Sequence, residues 1–246
     1  MSILVYVIIL VVLVATLALS VRARSIQLRR ISAYTTMPLT VGEAVESEKT
    51  IHISFGNSAV RDGTTIAAIA SAEILYSLAE RAAVANRPPL VTVSDPVTLT
   101  LGQDTLRRAY KARNGLKKYH STMARWYPQG PQSMAFAAGA GAAILDEGVS
   151  TNVLVGRFGP ELMLLAENAV RYDRIVIAQS DQVNGQAVAY ALSDSPLIGE
   201  ELYAGAAYLG RSSITVGGVI AQDIFRFIVI ALMIGLFFLA LVGAKF

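Results

Sequence analysis

The chain has 246 residues, of which 54% are hydrophobic and only 16% are charged, and its formal net charge is +3. Soluble domains average roughly 25% charged residues, so this composition indicates that part of the chain avoids water. The sequence contains no cysteine and two histidines. This excludes disulfides and thiolate chemistry and disfavours a histidine-rich metal site, so we predict neither a metal nor a cofactor.

Two uncharged apolar segments lie near the ends of the chain, at residues 3–19 and 227–244. Each is close to the ~17–25 residues that a helix needs to cross a bilayer core. The sequence therefore predicts transmembrane helices over residues 2–20 and 223–246. A core helix is the alternative for both, but neither segment has an amphipathic pattern. A cleaved signal peptide is the alternative for the first, which lacks the preceding positive charge of such peptides.

Four arginines follow the first apolar segment: Arg22, Arg24, Arg29 and Arg30. By the positive-inside rule they remain in the cytoplasm. We therefore predict a two-span protein of the cell membrane with both termini outside and a cytoplasmic central domain. The same arginines either contact anionic headgroups at the membrane surface or only fix this topology. Because neither apolar segment carries an ionisable residue, we predict anchors rather than a transport pathway.

A basic juxtamembrane segment and a short helix are predicted over residues 21–49. The pattern "TVGE" at residues 40–43 is typical of a capping box and would open that helix. The region from residue 50 to 222 is predicted to form the cytoplasmic α/β domain.

Strand and helix patterns alternate within this domain. The predicted strands are "TIHISF", "PLVTVSD", "NVLVG" and "RIVIAQSD". One of the helices between them begins with Asp95 as N-cap and Pro96 as its first residue, and another is stopped by Gly148. Short β-branched strands alternating with helices predict an α/β fold: a mostly parallel, Rossmann-like sheet with helices on both faces.

Polar residues follow the ends of the predicted strands, which is where open α/β sheets bind ligands. The candidate ligand-binding residues are Asn57, Ser58, Arg61, Asp95, Arg157, Gln179, Ser180 and Asp181. The two arginines of this set can pair with an anion. The alternative interpretation is that these residues only cap helices and shape loops.

No catalytic residues are predicted. The stretch "FGNSAVRDGTT" lacks the glycine and lysine spacing of phosphate-binding loops, and the chain has no nucleophile elbow and no zinc-protease motif. His52 lies within a strand pattern and is interpreted as a packed or edge residue rather than a base. His120 lies in "KKYHSTMARWYPQG", which we interpret as a solvated or membrane-facing loop rather than a nucleic-acid site.

Three stretches carry a family resemblance: "GTTIAAIASAEILYSLAERAAVANRPPLVTVSDPVTLTLGQDTLRRAY", "MAFAAGAGAAILDEGVSTNVLVGRFGPELMLLAENA" and "IGEELYAGAAYLG", followed by "GGVIAQDIFRF". The chain resembles a family of bacterial membrane proteins that is classed as a domain of unknown function. The resemblance covers most of residues 50–230 and is most specific in "VLVGRFGPE" and "IGEELYAGAAYLG". It implies a membrane-tethered α/β domain, and it implies no activity, cofactor or catalytic residue.

These observations favour a non-enzymatic membrane scaffold. Its partners would be the lipid bilayer, further copies of itself in a homo-oligomer, or other subunits of a membrane complex, and not nucleic acid. A surface with few charges suits burial in subunit contacts. The alternative is a membrane-tethered sensor or enzyme that binds a small molecule at the strand ends. A pore built from several copies is a third interpretation, disfavoured because uncharged helices line a channel poorly.

Overall fold

The computed structural model describes residues 3–22, 28–129, 134–210 and 212–241. The chain divides into two compact units. One comprises Met1–Leu28 and Gly210–Phe246, and the other, which we call the α/β unit, comprises Arg29–Leu209.

The α/β unit alternates strands and helices along most of its length. Its strands are β1 (Thr50–Gly56), β2 (Leu90–Val93), β3 (Ala124–Trp126), β4 (Val149–Arg157) and β5 (Ile175–Ala178). Its helices are α2 (Ser32–Glu46), α3 (Thr65–Ala82), α4 (Pro96–Ala112), α5 (Met134–Asp146), α6 (Leu162–Arg171) and α7 (Val183–Leu192). The predicted α/β class is thus confirmed.

Within the described part of the chain, five strands form one sheet in the order β3-β2-β1-β4-β5, and every pairing is parallel. This order matches five of the six strands of the doubly wound Rossmann arrangement. The first strand, β1, lies at the centre and pairs with both β2 and β4. The chain therefore winds outward in one direction and then crosses back over β1 to wind in the other.

Two separate hydrophobic clusters cover the two faces of the sheet. The first joins Ile53 and Phe55 of β1 to buried residues of α2, α3 and α4. The second joins Leu154 of β4 to buried residues of α5, α6 and α7. Because side chains alternate between the faces of a strand, each face of the sheet is packed against its own layer of helices.

The outer edge of β5 is closed by the segment that follows α7. The Asp194 backbone N–H donates to the Val176 carbonyl at 2.9 Å, and the Leu197 N–H donates to the Ala178 carbonyl at 3.0 Å. The hydroxyl of Ser193 also accepts from the Ala178 N–H at 3.0 Å. These bonds occupy backbone groups that an edge strand would otherwise offer to another chain.

Two local predictions were wrong. Helix α2 begins at Ser32 and continues through Pro38, so Thr40 lies inside the helix and does not cap it. Thr40 is buried, and its hydroxyl donates to the Met37 carbonyl at 3.1 Å. The other miss is β3, which the sequence analysis assigned to a loop. Three residues are too few for a period-2 pattern to be recognised.

The remaining unit contains two long helices, α1 (Ile3–Arg22) and α8 (Ser213–Leu241). Helix α8 begins ten residues before the predicted second span. Among the described residues one helix, over Ser213–Phe238, is long and apolar enough to cross a membrane, and 6% of its apolar window is buried. The low burial argues against a core helix. A second span and the orientation of the chain in a membrane stay predictions.

Helices α1 and α8 pack against each other. At their contact, a methyl group at Gly218 of α8 would lie 3.8 Å from the Cγ2 atom of Thr16 on α1. The Thr16 hydroxyl donates to the Val12 carbonyl of its own helix at 2.8 Å. The absence of a side chain at Gly218 leaves room beside the Thr16 methyl group and allows the two apolar helices to approach closely.

Candidate functional site at the carboxyl edge of the sheet

The loops after β1 and β4 meet at the point where the winding of the sheet reverses. The Asn57 N–H donates to the Arg157 carbonyl at 2.7 Å and so joins the two loops. Gly56 has φ +57°, and a side chain there would collide with the same carbonyl oxygen. Gly156 has φ +136°, and its added Cβ would lie 2.5 Å from the Phe55 carbonyl. Both positions require glycine because of backbone conformation and close approach.

Serine hydroxyls hold these loops in place. The Arg157 N–H donates to the Ser58 hydroxyl at 2.8 Å. The Ser180 hydroxyl accepts from the Phe158 and Gln182 N–H groups at 3.1 and 3.0 Å. Both serines are fully or almost fully buried. They are two of the candidate ligand-binding residues, and in this structure their hydrogen bonds stabilise the loops.

Asp95 and Gln179 also use their side chains within the fold. The Asp95 carboxylate accepts from the Val97 and Thr98 N–H groups, each at 3.0 Å, and caps α4 as the sequence analysis predicted. The Gln179 side chain is fully buried. It accepts from the Gly156 N–H at 3.3 Å and donates to the Gly199 carbonyl at 3.3 Å.

Three of the four other candidates line an open depression of about 310 Å³ at this edge of the sheet, and the fourth, Asp181, lies beside Arg157. We call it the switch-point depression. Its lining residues are Asn57, Ala59, Arg61, Gly63, Thr64, Arg157 and Gln182. Three of them, Asn57, Arg61 and Arg157, were predicted from the sequence. Gln182 was missed, although it stands only four residues beyond the end of β5, next to a residue that was predicted.

The charged groups of this region are loosely paired. The Nε atom of Arg157 lies 3.8 Å from Oδ1 of Asp181, which is beyond the 2.7–3.2 Å of a hydrogen bond. Burial raises the pKa of Asp181 above its ordinary value, although the Arg157 charge acts in the opposite direction. Burial and the Asp181 charge likewise raise the pKa of Tyr203. Asp181 therefore lies near Arg157 without forming a hydrogen bond to its Nε.

Neither arginine of the depression donates a side-chain hydrogen bond to another residue that the structure describes. Arg61 is exposed, and its backbone carbonyl accepts from the Thr64 hydroxyl at 3.0 Å. The Arg157 side chain is 34% exposed. Two guanidinium groups from different loops thus face solvent at one depression.

His52 does not belong to this site. It is fully buried in the central strand, where its Nδ1 lies 3.1 Å from Asn152 Oδ1 and its Nε2 lies 2.8 Å from the Thr92 hydroxyl. Burial lowers the pKa of His52 to about 4. The prediction that His52 is a packed residue of its strand is thus confirmed. The Nδ2 atom of Asn152 is buried without a hydrogen-bond partner among the described residues.

The arginines predicted to face the membrane surface differ in their surroundings. Arg29 forms an ion pair with Glu201, and its carbonyl accepts from the Tyr208 hydroxyl at 2.6 Å. Arg30 is exposed. Arg24 and the side chain of Arg22 lie outside the described residues. Among the described residues, no three histidine, aspartate or glutamate side chains are grouped to hold a metal ion.

Comparison with known proteins identifies the family. The model of the domain of unknown function DUF6754 matches residues 1–246, so the chain belongs to this family. The match confirms the predicted resemblance to a domain of unknown function and covers the whole chain, whereas the bacterial origin and the membrane nature of the family stay predictions. No curated protein and no solved structure matches it.

Proposed function

We propose that the protein is a non-enzymatic, membrane-anchored assembly subunit, whose α/β unit lies in the cytoplasm and whose copies form a homo-oligomer. The observation that carries the proposal is the exposed apolar surface of α8. Phe227, Leu232 and Met233 are among its large side chains, and they are 69%, 59% and 63% exposed. Water is a poor solvent for a contiguous surface of this kind, whereas a bilayer core is a good one.

The length of α8 supports the same proposal. Its 29 residues extend about 43 Å at 1.5 Å per residue, which exceeds a bilayer core of about 30 Å. The charged residues Asp223 and Arg226 lie in its first half, 3.7 Å apart. The segment after them carries no charge up to residue 244. We place the bilayer core on this later segment.

Helix α1 is the second proposed span, and the proposal has both termini outside. It is supported by the uncharged sequence of residues 3–19, by the packing of α1 on α8, and by the arginines that follow α1. The cysteine-free chain makes this orientation testable. A single Lys117→Cys variant should react with a membrane-impermeant maleimide only after the cells are permeabilised, and a Lys245→Cys variant should react in intact cells. The reverse pattern would contradict the orientation.

Homo-oligomerisation is supported by apolar residues on the surface of the α/β unit. Ile66 and Ile69 on α3 are 66% and 51% exposed. They are three residues apart and therefore lie on the same side of the helix. Exposed apolar side chains that lie together on one side of a helix are typical of protein contacts.

Native mass spectrometry in a mild detergent tests the assembly. We expect a discrete homo-oligomer, and we expect Ile69→Glu to shift it towards smaller species. Val84→Glu is the matched control, because Val84 is also exposed and lies in the turn after the same helix. If the complex also contains a different protein, the chain is a subunit of a larger membrane complex rather than of a homo-oligomer. A monomer at every protein concentration would contradict assembly.

A further inference from the structure

We infer that the switch-point depression binds a phosphate-bearing anion through Arg61 and Arg157. This inference does not depend on the proposed assembly. The depression lies between the loops that follow β1 and β4, which is where the helices change from one face of the sheet to the other. Doubly wound sheets bind ligands at this topological position.

The donors at the depression suit an anion. Each guanidinium offers five N–H donors in a planar fork, and the Asp181 carboxylate that pairs with Arg157 lies 3.8 Å from its Nε, beyond hydrogen-bond distance. Asn57 and Gln182 line the same depression with amide groups. The Oδ1 atom of Asn57 lies 3.2 Å from the donating hydroxyl of Ser94, which orients the amide group.

Helix α3 adds to the positive potential. Gly63 and Thr64 line the depression directly before the first residue of this 18-residue helix. The N-terminus of a helix carries a partial positive charge that favours anions. Thr64 does not cap the helix with its hydroxyl, which donates instead to the Ala59 carbonyl at 2.8 Å.

The rigid floor of the depression makes these donors a preformed site. Gly56 and Gly156 allow the two loops to touch, and the Ser58 hydroxyl bonds one loop to the other. The arginine side chains therefore project from fixed backbone positions. A tetrahedral phosphate can accept from two guanidinium groups at once because its oxygens point in different directions.

Asp181 limits the size of the anion. Its carboxylate lies 3.8 Å from Arg157 and reduces the excess of positive charge. This suits one phosphate group better than a chain of phosphates. A single phosphate can come from a small soluble phosphate ester or from a phospholipid headgroup, and both present the same oxygens.

The test uses the full-length protein in two settings. Isothermal titration calorimetry in detergent measures binding of inorganic phosphate and of glycerol 3-phosphate. Native mass spectrometry from phosphatidylcholine nanodiscs, with and without phosphatidic acid, counts retained phosphatidic acid. Binding of the soluble compounds assigns the site to free phosphate esters, and retention of phosphatidic acid alone assigns it to a headgroup.

Three variants locate the site. Arg61→Gln and Arg157→Gln should each weaken binding about tenfold or more, since a hydrogen bond to a charged group contributes roughly 1.5–3 kcal/mol. Arg157→Lys should also weaken it, because lysine retains the charge but lacks the planar fork. Arg171→Gln is the control: Arg171 is exposed on α6 and bonds Glu167 at 2.6 Å.

The inference is overturned if wild-type protein binds none of the probes, or if Arg171→Gln weakens binding as much as the two site variants. Thermal unfolding is recorded for every variant. If Arg157→Gln does not fold, the binding measured for Arg61→Gln decides whether the site exists. Arg61 is exposed, and a change in its side chain leaves the hydrogen bonds between the loops intact.

Discussion

The central strand and helix α8 contain the same kinds of apolar residue in opposite surroundings. Ile53 and Phe55 of β1 are fully buried between helices and neighbouring strands. Ile228 and Phe237 of α8 are 52% and 62% exposed. In the α/β unit, apolar side chains are removed from water by protein. On α8 the protein leaves isoleucine and phenylalanine side chains exposed, although these are the residue types that it buries in β1.

This difference shows that the composition of an apolar segment does not by itself reveal whether protein surrounds the segment. Burial of an apolar side chain stabilises a fold by roughly 1.5–3 kcal/mol when water is the alternative. An exposed side chain on α8 contributes nothing of this kind to the fold. The proposed bilayer would supply a second, apolar solvent for it, and the contrast between the two regions can be tested residue by residue.

The largest expected effect compares two phenylalanines. Phe55→Ala should destabilise the α/β unit by about 3–5 kcal/mol, because it leaves a cavity at a fully buried site. Phe237→Ala should change the same stability by less than about 0.5 kcal/mol. Urea unfolding followed by fluorescence measures both. Trp126, the only tryptophan, reports on the α/β unit, where its Nε1–H donates to the Ser94 carbonyl at 3.0 Å. Equal destabilisation by the two substitutions would contradict the contrast between β1 and α8.

The second prediction concerns the solvent of α8. Leu232→Arg should reduce membrane integration, since an arginine at the centre of a span costs about 2.5–3.5 kcal/mol on insertion scales. Because α1 is also a proposed span and would still anchor the chain, integration of α8 is measured in the Lys245→Cys background, where labelling in intact cells requires that α8 crosses the membrane. Val84→Arg introduces the same charge at an exposed apolar residue of the α/β unit and should leave integration unchanged. If Leu232→Arg leaves this labelling unchanged, the prediction for α8 is wrong.

The third prediction uses the buried histidine. Burial lowers the pKa of His52 from 6.5 to about 4, so the unfolded chain takes up the proton first as the pH falls. The contribution of His52 is therefore complete above pH 6.5 and is lost as the pH falls towards 4. Between pH 7 and pH 5 we expect a loss of about 2 kcal/mol in the free energy of unfolding.

Urea titrations at several pH values measure this loss. His52→Gln should flatten the dependence between pH 7 and pH 5, whereas His120→Gln, at an exposed loop residue, should reproduce the wild-type curve. A slope unchanged by His52→Gln would mean that other groups cause it.

Much of the fold could be predicted from the sequence. The strands at residues 50–56 and 175–178 and the cap at Asp95 follow from local patterns of β-branched residues and helix-start signals. The strand at Ala124–Trp126 could not be predicted, because it exists through pairing with β2 rather than through its own propensity. The start of helix α2 was predicted wrongly, because "TVGE" is typical of a capping box, whereas the helix begins at Ser32 and contains Pro38.

The candidate site could be predicted only in part. Parallel strands bring their carboxyl ends to one edge, so the grouping of polar residues there follows from the fold class. Which of them face solvent does not follow, because Ser58, Ser180 and Gln179 are bonded to backbone groups that are distant in the chain. A sequence pattern carries no record of such long-range bonds. Of the predicted residues, only Asn57, Arg61 and Arg157 therefore line the depression.

The smallest expected effect separates a structural carboxylate from a surface one on the same helix. Asp95→Ala should cost about 1 kcal/mol, because two N–H groups at the start of α4 lose their acceptor. Asp104→Ala should cost less than about 0.5 kcal/mol, since its pair with Arg108 is exposed. Urea unfolding monitored at Trp126 measures both. If the two variants are equally destabilised, capping contributes nothing particular here, and Asp95 is again a candidate for the ligand site.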